Sequence, residues 1–272
     1  MKNLVKKAKI YFLDLDGTFI DKVNGYETIS EKNILTAKKV NLSKPVIFST
    51  GRGNTEYTMN IAQQVGSEYV VCLNGALVVD KNNKEVYRKE MPKDIVLNVI
   101  EEFKKHNMCI YINGIKNMYH SGNFEGVLVK EWSKENPKFN YNDIDNNGPF
   151  SKLLVFGLSI EKTKELHKYL SKKYPELAFY LVSNGYTIEV GPNDANKGIA
   201  NKFVCELLNI DPKDAMHIGD SANDMPTKYH LGYFVCMGSS QEHVKAIAHC
   251  VGPDYSNSGL STVLEELEEL KY

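Results

Sequence analysis

Ile10-Tyr11-Phe12-Leu13-Asp14-Leu15-Asp16-Gly17-Thr18 sets four large apolar side chains directly before two acids and a glycine. An uninterrupted apolar, aromatic-rich run reads as a buried strand over residues 9–15. Side chains alternate along a strand, so Asp14 and Asp16 project towards one spot at its carboxyl end, where open α/β sheets bind their ligands. Gly17 lets the backbone turn away without a Cβ clash. Two neighbouring carboxylates in different environments can share the work of nucleophile and acid/base. The same DxDG pattern is also ordinary turn chemistry, so its meaning depends on what else the chain brings to that spot.

A second apolar run, 45–49, ends in Thr50-Gly51-Arg52. Between the two runs, 30–40 carries an N-cap Ser30 and apolar Ile34, Leu35, Ala37 and Val40, which suits a helix crossing between parallel strands. A helix over 54–65 and a strand over 69–73 repeat the unit. The alternation returns near the other end: helix 197–208, strand 215–219, helix 223–229, strand 233–236, helix 241–248, and a terminal helix over 260–270 with Leu260, Val263, Leu264 and Leu267 inward and its glutamates outward. This is an α/β protein with a Rossmann-like, doubly wound parallel-sheet core.

The middle breaks the rhythm. Helices over 93–106 and 161–173, with strands over 108–113, 116–120, 152–159, 177–183 and 186–190, suit an inserted α+β cap domain. The polar stretches Lys81-Asn82-Asn83-Lys84 and Gly191-Pro192-Asn193 are places for the chain to leave and re-enter the core. The expected division is 1–80 with 188–272 for the core and 81–187 for the insertion, which suits a chain of 272 residues. Residues 123–150 read as helix and loop without a clear place.

Gly219-Asp220-Ser221-Ala222-Asn223-Asp224 again puts carboxylates where a strand ends and a helix begins. Four acids, Asp14, Asp16, Asp220 and Asp224, converging on a phosphate would repel at about 4 kcal/mol per pair of unit charges about 4 Å apart. A hard cation must bridge them, and an oxygen-only ligand set favours Mg²⁺. Thr50 and Gly51 offer a hydroxyl and an N–H as a phosphate seat facing a helix start. Lys197 opens another helix as a point charge within reach of a transferring phosphoryl oxygen.

Bulk properties narrow the partners. Lys and Arg number 33 against 34 Asp and Glu, a net charge of −1, so no global field recruits nucleic acid or an anionic membrane. No apolar run reaches a spanning length, and Lys2, Lys6 and Lys7 meet Asp14 too soon for a leader's apolar core. The expectation is a cytoplasmic protein, a monomer or weak homodimer. Cys72, Cys109, Cys205, Cys236 and Cys250 form no CxxC and read as reduced packing residues. No histidine makes a metal-binding HExxH pair, and His217, inside Met216-His217-Ile218, reads as a packed strand residue. Asn74 reads equally as a turn cap and as a substrate contact.

Taken together, DLDGT at 14–18, STGR at 49–52, CLNGA at 72–76, NKG at 196–198, GDSAND at 219–224 and Val235-Cys236-Met237-Gly238 resemble the haloacid dehalogenase superfamily, Cof-type sugar-phosphatase subfamily. The chain departs from the usual pattern at Met225-Pro226-Thr227-Lys228 and at Gly53. The resemblance implies a mobile α/β cap inserted after the NGA stretch and a magnesium-dependent phosphatase acting on a small phosphorylated metabolite. It implies Asp14 as nucleophile and Asp16 as acid/base, with the metal held by Asp14, the Asp16 carbonyl and Asp220, and with Asp224 orienting the shell. Phosphate would be gripped by Leu15 N–H, Thr50, Gly51 N–H, Lys197 and Asn223. A phosphomutase or phosphotransferase shares such a core. A dehalogenase would lack Asp16, and a silent binding module would be expected to have lost one of Asp14, Asp16, Lys197 or Asp220. Selectivity would fall to insert side chains, with Asn113, Tyr119, His120, Trp132, Asn184 and Tyr186 as candidates.

Overall fold

The structure is a computed structural model describing residues 8–23 and 26–270, without the side chains at 22–27. Lys2, Lys6 and Lys7 lie outside the described residues. Besides a small hairpin of Asp21–Val23 with Tyr26–Thr28, the first part of the chain forms β1 (Ile10–Leu13), α1 (Glu31–Asn41), β2 (Val46–Ser49), α2 (Glu56–Val65), β3 (Tyr69–Cys72), β4 (Leu77–Asp80) and β5 (Glu85–Arg88). The middle forms α3 (Lys93–Lys105), β6 (Cys109–Ile112), β7 (Met118–His120), β8 (Lys138–Asn140), β9 (Leu153–Phe156), α4 (Ile160–Lys173), β10 (Leu177–Val182) and β11 (Thr187–Pro192). The last part forms α5 (Lys197–Leu207), β12 (Ala215–Gly219), α6 (Thr227–His230), β13 (Tyr233–Cys236), α7 (Glu242–Lys245), β14 (Cys250–Val251) and α8 (Gly259–Glu268).

One sheet has the order β14-β13-β12-β1-β2-β3-β4-β5. It is parallel from β14 through β3 and antiparallel between β3 and β4. All four residues of β1 are fully buried, which is why its sequence shows no alternation. Ile10 and Phe12 pack with Ile47, Val71, Ala200 and Val204. The chain leaves β1 towards β2 on one side and later returns as β12 on the other. The order therefore reverses at β1, the place where open α/β sheets leave a crevice outside their strand ends.

Ser30 caps α1 by accepting from Asn33 N at 3.2 Å, and Ala37 and Val40 are buried. Leu35 is 54% exposed. The apolar face of α8 is buried at Leu260, Val263, Leu264 and Leu267. Its Glu268 is not a solvated glutamate, since it accepts from Lys44 Nζ at 2.6 Å and from the Tyr11 hydroxyl.

The second sheet is mixed, with the order β8-β7-β6-β9-β11-β10. Its helices α3 and α4 bury Val96, Ile100, Phe103, Leu166 and Leu170 against Leu153, Val155 and Ile188. The fold class is thus α/β with a mainly parallel core sheet and an inserted mixed-sheet cap.

Two compact units divide the chain, Met1–Tyr87 with Asn196–Tyr272, and Arg88–Ala195. The edges fall later than the polar stretches suggested. Lys81-Asn82-Asn83-Lys84 is a hairpin turn inside the core sheet, with Asp80 Oδ1 accepting from Asn82 N and Lys84 N at 2.9 Å each, and β5 still pairs beyond it. Gly191 and Pro192 likewise belong to β11. Residues 123–150, unplaced by sequence, include the exposed strand β8. All five cysteines are free, four of them buried. Among the described residues no helix is long and apolar enough to cross a membrane.

Candidate active site

Asp14 follows β1 directly, and its N–H donates to Ile218 O at 2.9 Å, tying it to β12. Residues 15–19 then form one tight turn with Gly17 at φ 72. A Cβ on Gly17 would stand 2.5 Å from Asp220 Oδ2, so only glycine lets this turn lie against that carboxylate. Gly219 plays the same part for Asp224, whose Cγ would meet a Cβ there at 2.3 Å.

Lys197, at the start of α5, is fully buried. Its Nζ donates to Asp14 Oδ1 at 2.6 Å and to Asp224 Oδ1 at 2.7 Å. Burial by itself would lower its pKa, but Asp14 and Asp224 outweigh burial and hold the ammonium above its ordinary range. Asp224 is saturated. Oδ1 accepts from Lys197 and from His217 Nε2 at 2.7 Å, and Oδ2 accepts from Asp220 N and Ser221 N at 3.0 Å each. Those four donors fill the acceptor positions a carboxylate offers. Burial would raise its pKa, but Lys197 and His217 outweigh it and keep Asp224 well below the usual carboxylate range.

Asp14 and Asp220 are different. Burial, with Asp224 and Asp220 adding repulsion, pushes Asp14 well above the usual range despite Lys197. Burial and then Asp224 push Asp220 up to about 7. Asp220 Oδ1 is buried and has no hydrogen-bond partner among the described residues. Asp14, Asp220 and Asp224 each bring a carboxylate oxygen within 4.8 Å of the others, an acidic triad compatible with a metal ion. An unpartnered buried oxygen beside a second strained carboxylate is a fit for a hard, oxygen-liganded divalent cation.

Asp16 does not join this cluster. Its carboxylate is exposed and gripped by Arg52, with Nε to Oδ2 at 2.8 Å and Nη2 to Oδ1 at 2.5 Å. The guanidinium also lies 5.0 Å from the Tyr57 ring centroid. The Asp16 carboxylate, expected among the metal ligands, is therefore not part of the acidic triad.

Thr50 follows β2 directly and is fully buried, its Oγ1 accepting from Arg52 N at 3.1 Å. The helix after it begins only at Glu56, so Thr50 and Gly51 sit in a loop and not at a helix start. That loop is stitched to the next strand end by Asn74 N to Thr50 O at 3.0 Å and Leu73 N to Arg52 O at 2.9 Å. Asn74 Oδ1 in turn accepts from Asn223 Nδ2 at 2.9 Å, which draws Asn74, left open by sequence, into the site. The helix expected over 223–229 is the shorter α6, because Asp224 folds back onto the N–H groups of 220 and 221 and the helix starts only after Pro226.

Sequence reasoning missed Arg52 as a partner of Asp16 and His217 as a partner of Asp224. The TGR stretch carried a signal for the first. Nothing local signalled the second. The insert candidates mostly serve structure. Asn113 bonds Pro149 O, Ser151 N and Lys152 N, and His120 is buried with Nε2 3.1 Å from Asn107 O. Tyr119 packs on Phe139, Asn184 occupies a left-handed turn position, and Lys130 covers Tyr186 at 3.8 Å. Trp132 is 54% exposed.

A strand-end acid facing a buried lysine, with paired acids in the loop after the neighbouring parallel strand, lies in a chain that the family model for haloacid dehalogenase-like hydrolases matches over residues 11–264. The chain belongs to that family. Its fold is that of the Cof-like, subclass IIB members. The HAD subclass IIB sugar phosphatase BT4131 superposes with a TM-score of 0.76 at 18% identity, covering 97% of this chain and 100% of that one. A putative phosphatase of Haemophilus influenzae is 25% identical over 264 residues, 95% of this chain and 97% of its own. The 5-amino-6-(5-phospho-D-ribitylamino)uracil phosphatase of Bacillus subtilis is 25% identical over 258 residues, 94% of each chain. This haloacid dehalogenase-like chain is accordingly a phosphatase-type hydrolase.

Proposed function

We propose that the protein hydrolyses small phosphorylated metabolites, sugar phosphates or similar, through a covalent phosphoryl group on Asp14. The observation that carries this reading is the Lys197 contact to Asp14 beside an unpartnered Asp220 oxygen, all withdrawn from solvent at the ends of the central strands. The Bacillus subtilis relative, named for a phosphorylated small molecule, supports the substrate class.

Asp14 and Asp220, with the Asp16 carbonyl, would hold Mg²⁺, and Asp224 would stand outside the ligand set as its orienting neighbour. Magnesium, when bound, supplies the positive charge that lets Asp14 and Asp220 ionise together beside a phosphate.

An Asp14 carboxylate oxygen attacks phosphorus, the bond from phosphorus to the substrate oxygen breaks, and Asp16 gives that oxygen its proton. Asp16, now a carboxylate, takes a proton from water. The resulting hydroxide attacks phosphorus, the bond to Asp14 breaks, and phosphate leaves. Lys197, Leu15 N–H, Thr50, Gly51 N–H and Asn223 offer donors to the phosphoryl oxygens, where charge stabilisation is the dominant contribution. Arg52 occupies both Asp16 oxygens in this structure, so Asp16 must release Arg52 at one of them before that oxygen can handle a proton.

Rapid quench with a ³²P-labelled ester, followed by peptide mapping, tests the reading. Label on the peptide containing Asp14, with free phosphate appearing in a single turnover, is the expected result. Label that passes to a second sugar would make the protein a phosphotransferase, and no label at all would reject covalent catalysis at Asp14.

A further inference from the structure

His217 sits in the middle of β12, fully buried, in a strand whose other residues are Ala, Met, Ile and Gly. A polar ring in such a place must find partners. It finds two. Its Nε2 lies 2.7 Å from Asp224 Oδ1, and its Nδ1 lies 3.2 Å from Asn201 Nδ2 on α5. The carboxylate oxygen can only accept, so Nε2 carries the hydrogen, and Nδ1 accepts from the Asn201 amide. Asn201 spends its amide in this way while its own buried Oδ1 has no partner among the described residues. The fold thus tolerates an unsatisfied acceptor to keep this ring oriented.

The oxygen His217 touches is the one that Lys197 touches. Among the described residues, His217 and Lys197 are the side chains that hold Oδ1, and Oδ2 is occupied by the backbone of 220 and 221. Without the Nε2 hydrogen, Oδ1 keeps only Lys197, and the carboxylate can rotate about its anchored Oδ2 and carry the ammonium with it.

We propose that His217 is a positioning residue for phosphoryl transfer, fixing Asp224 so that Asp224 in turn aims the Lys197 ammonium at Asp14. The inference rests on the phosphoryl-transfer reading above for its kinetic consequence, while its geometric content stands separately. His217 is fully buried and reaches the acidic cluster through Asp224, so its loss acts through Lys197 on the transition state and lowers kcat while changing KM little.

The test uses His217→Leu and His217→Phe, which keep an apolar filling, His217→Gln, whose amide nitrogen reaches about where Nε2 stands, and His217→Asn, whose shorter amide does not. Thermal melts verify folding, p-nitrophenyl phosphate with Mg²⁺ gives kcat and KM, and crystal structures give the Lys197 Nζ position. The expected result is a fall in kcat of about 10- to 100-fold in the Leu, Phe and Asn variants, with Gln recovering most of it. Lys197 Nζ should be displaced from Asp14 Oδ1 in the Leu or Phe variant and restored in Gln. Folded Leu or Phe variants with wild-type kcat, or with Lys197 unmoved, would overturn the proposal, as would Gln performing no better than Phe. A wild-type protein that releases no phosphate rejects the phosphatase reading alone, and the Lys197 position then still decides the role of His217.

Discussion

Lys197 Nζ stands 2.6 Å from Asp14 Oδ1, and 183 positions of chain separate the two residues. Breaking a buried pair of this kind leaves the remaining charges uncompensated, at a cost of about 3–5 kcal/mol. Lys197→Met should therefore lower the melting temperature measured by calorimetry as well as cut kcat by about 10²–10³. A variant that melts like wild type would show that the lysine does not stabilise the acidic cluster.

Asp14→Asn should have the opposite thermal effect. Asp14 ionises against burial and against Asp224 and Asp220, so an amide of nearly the same shape relieves repulsion. The expected outcome is an unchanged or raised melting temperature with hydrolysis abolished, since an amide is a poor nucleophile. Retention of more than about a thousandth of the wild-type rate, within reach of a lost acid/base alone, would count against Asp14 as the phosphoryl acceptor.

Asp220, pushed up to about 7, makes metal binding compete with a proton. A carboxyl with a raised pKa is mostly protonated below that value, so Mg²⁺ must displace the proton there and need not above it. Calorimetric titration should show Mg²⁺ affinity falling as pH drops through about 7, with protons released into buffer. A pH-independent affinity from pH 5 to 8 would remove Asp220 from the ligand set. Chelator should stop turnover, and Mg²⁺ alone should restore it.

Arg52 grips both oxygens of Asp16 in a fork geometry that lysine lacks. Arg52→Ala and Arg52→Lys should both lower kcat on p-nitrophenyl phosphate, by about 10- to 100-fold for a misplaced proton donor. Full activity in the Lys variant would mean that charge near Asp16 suffices and orientation does not matter.

Trp132 offers the inserted unit an exposed aromatic side chain. If the insert selects substrates, Trp132→Ala should change the ranking of a panel of sugar phosphates while a small generic ester is hydrolysed as before. One common factor across every substrate would place selection elsewhere.

Local pattern carried much of this molecule. The apolar run into Asp14, the run into Asp220 and the helix opened by Lys197 were legible because burial of a parallel strand on both faces writes a continuous apolar segment, and strand ends write their acids beside glycines. The hairpin of β4 and β5 was not legible. Its turn at 81–84 has the polarity of a linker, and only hydrogen bonds across the sheet make it a turn. Strand β8 was missed for a related reason, since its three residues are exposed and show no buried face.

The sequence by itself determined the α/β class, the order of the strand-end motifs and the residues at those ends, because each depends on a few neighbours along the chain. Only the tertiary structure decided which charges meet. Asp16 turns out to Arg52 while Asp14 turns in to Lys197, and Asp224 is filled by His217, Lys197 and two N–H groups while Asp220 keeps an unpartnered oxygen. Four similar aspartates acquire separate roles through burial and hydrogen-bond partners drawn from distant segments, and no spacing along a chain encodes such contacts.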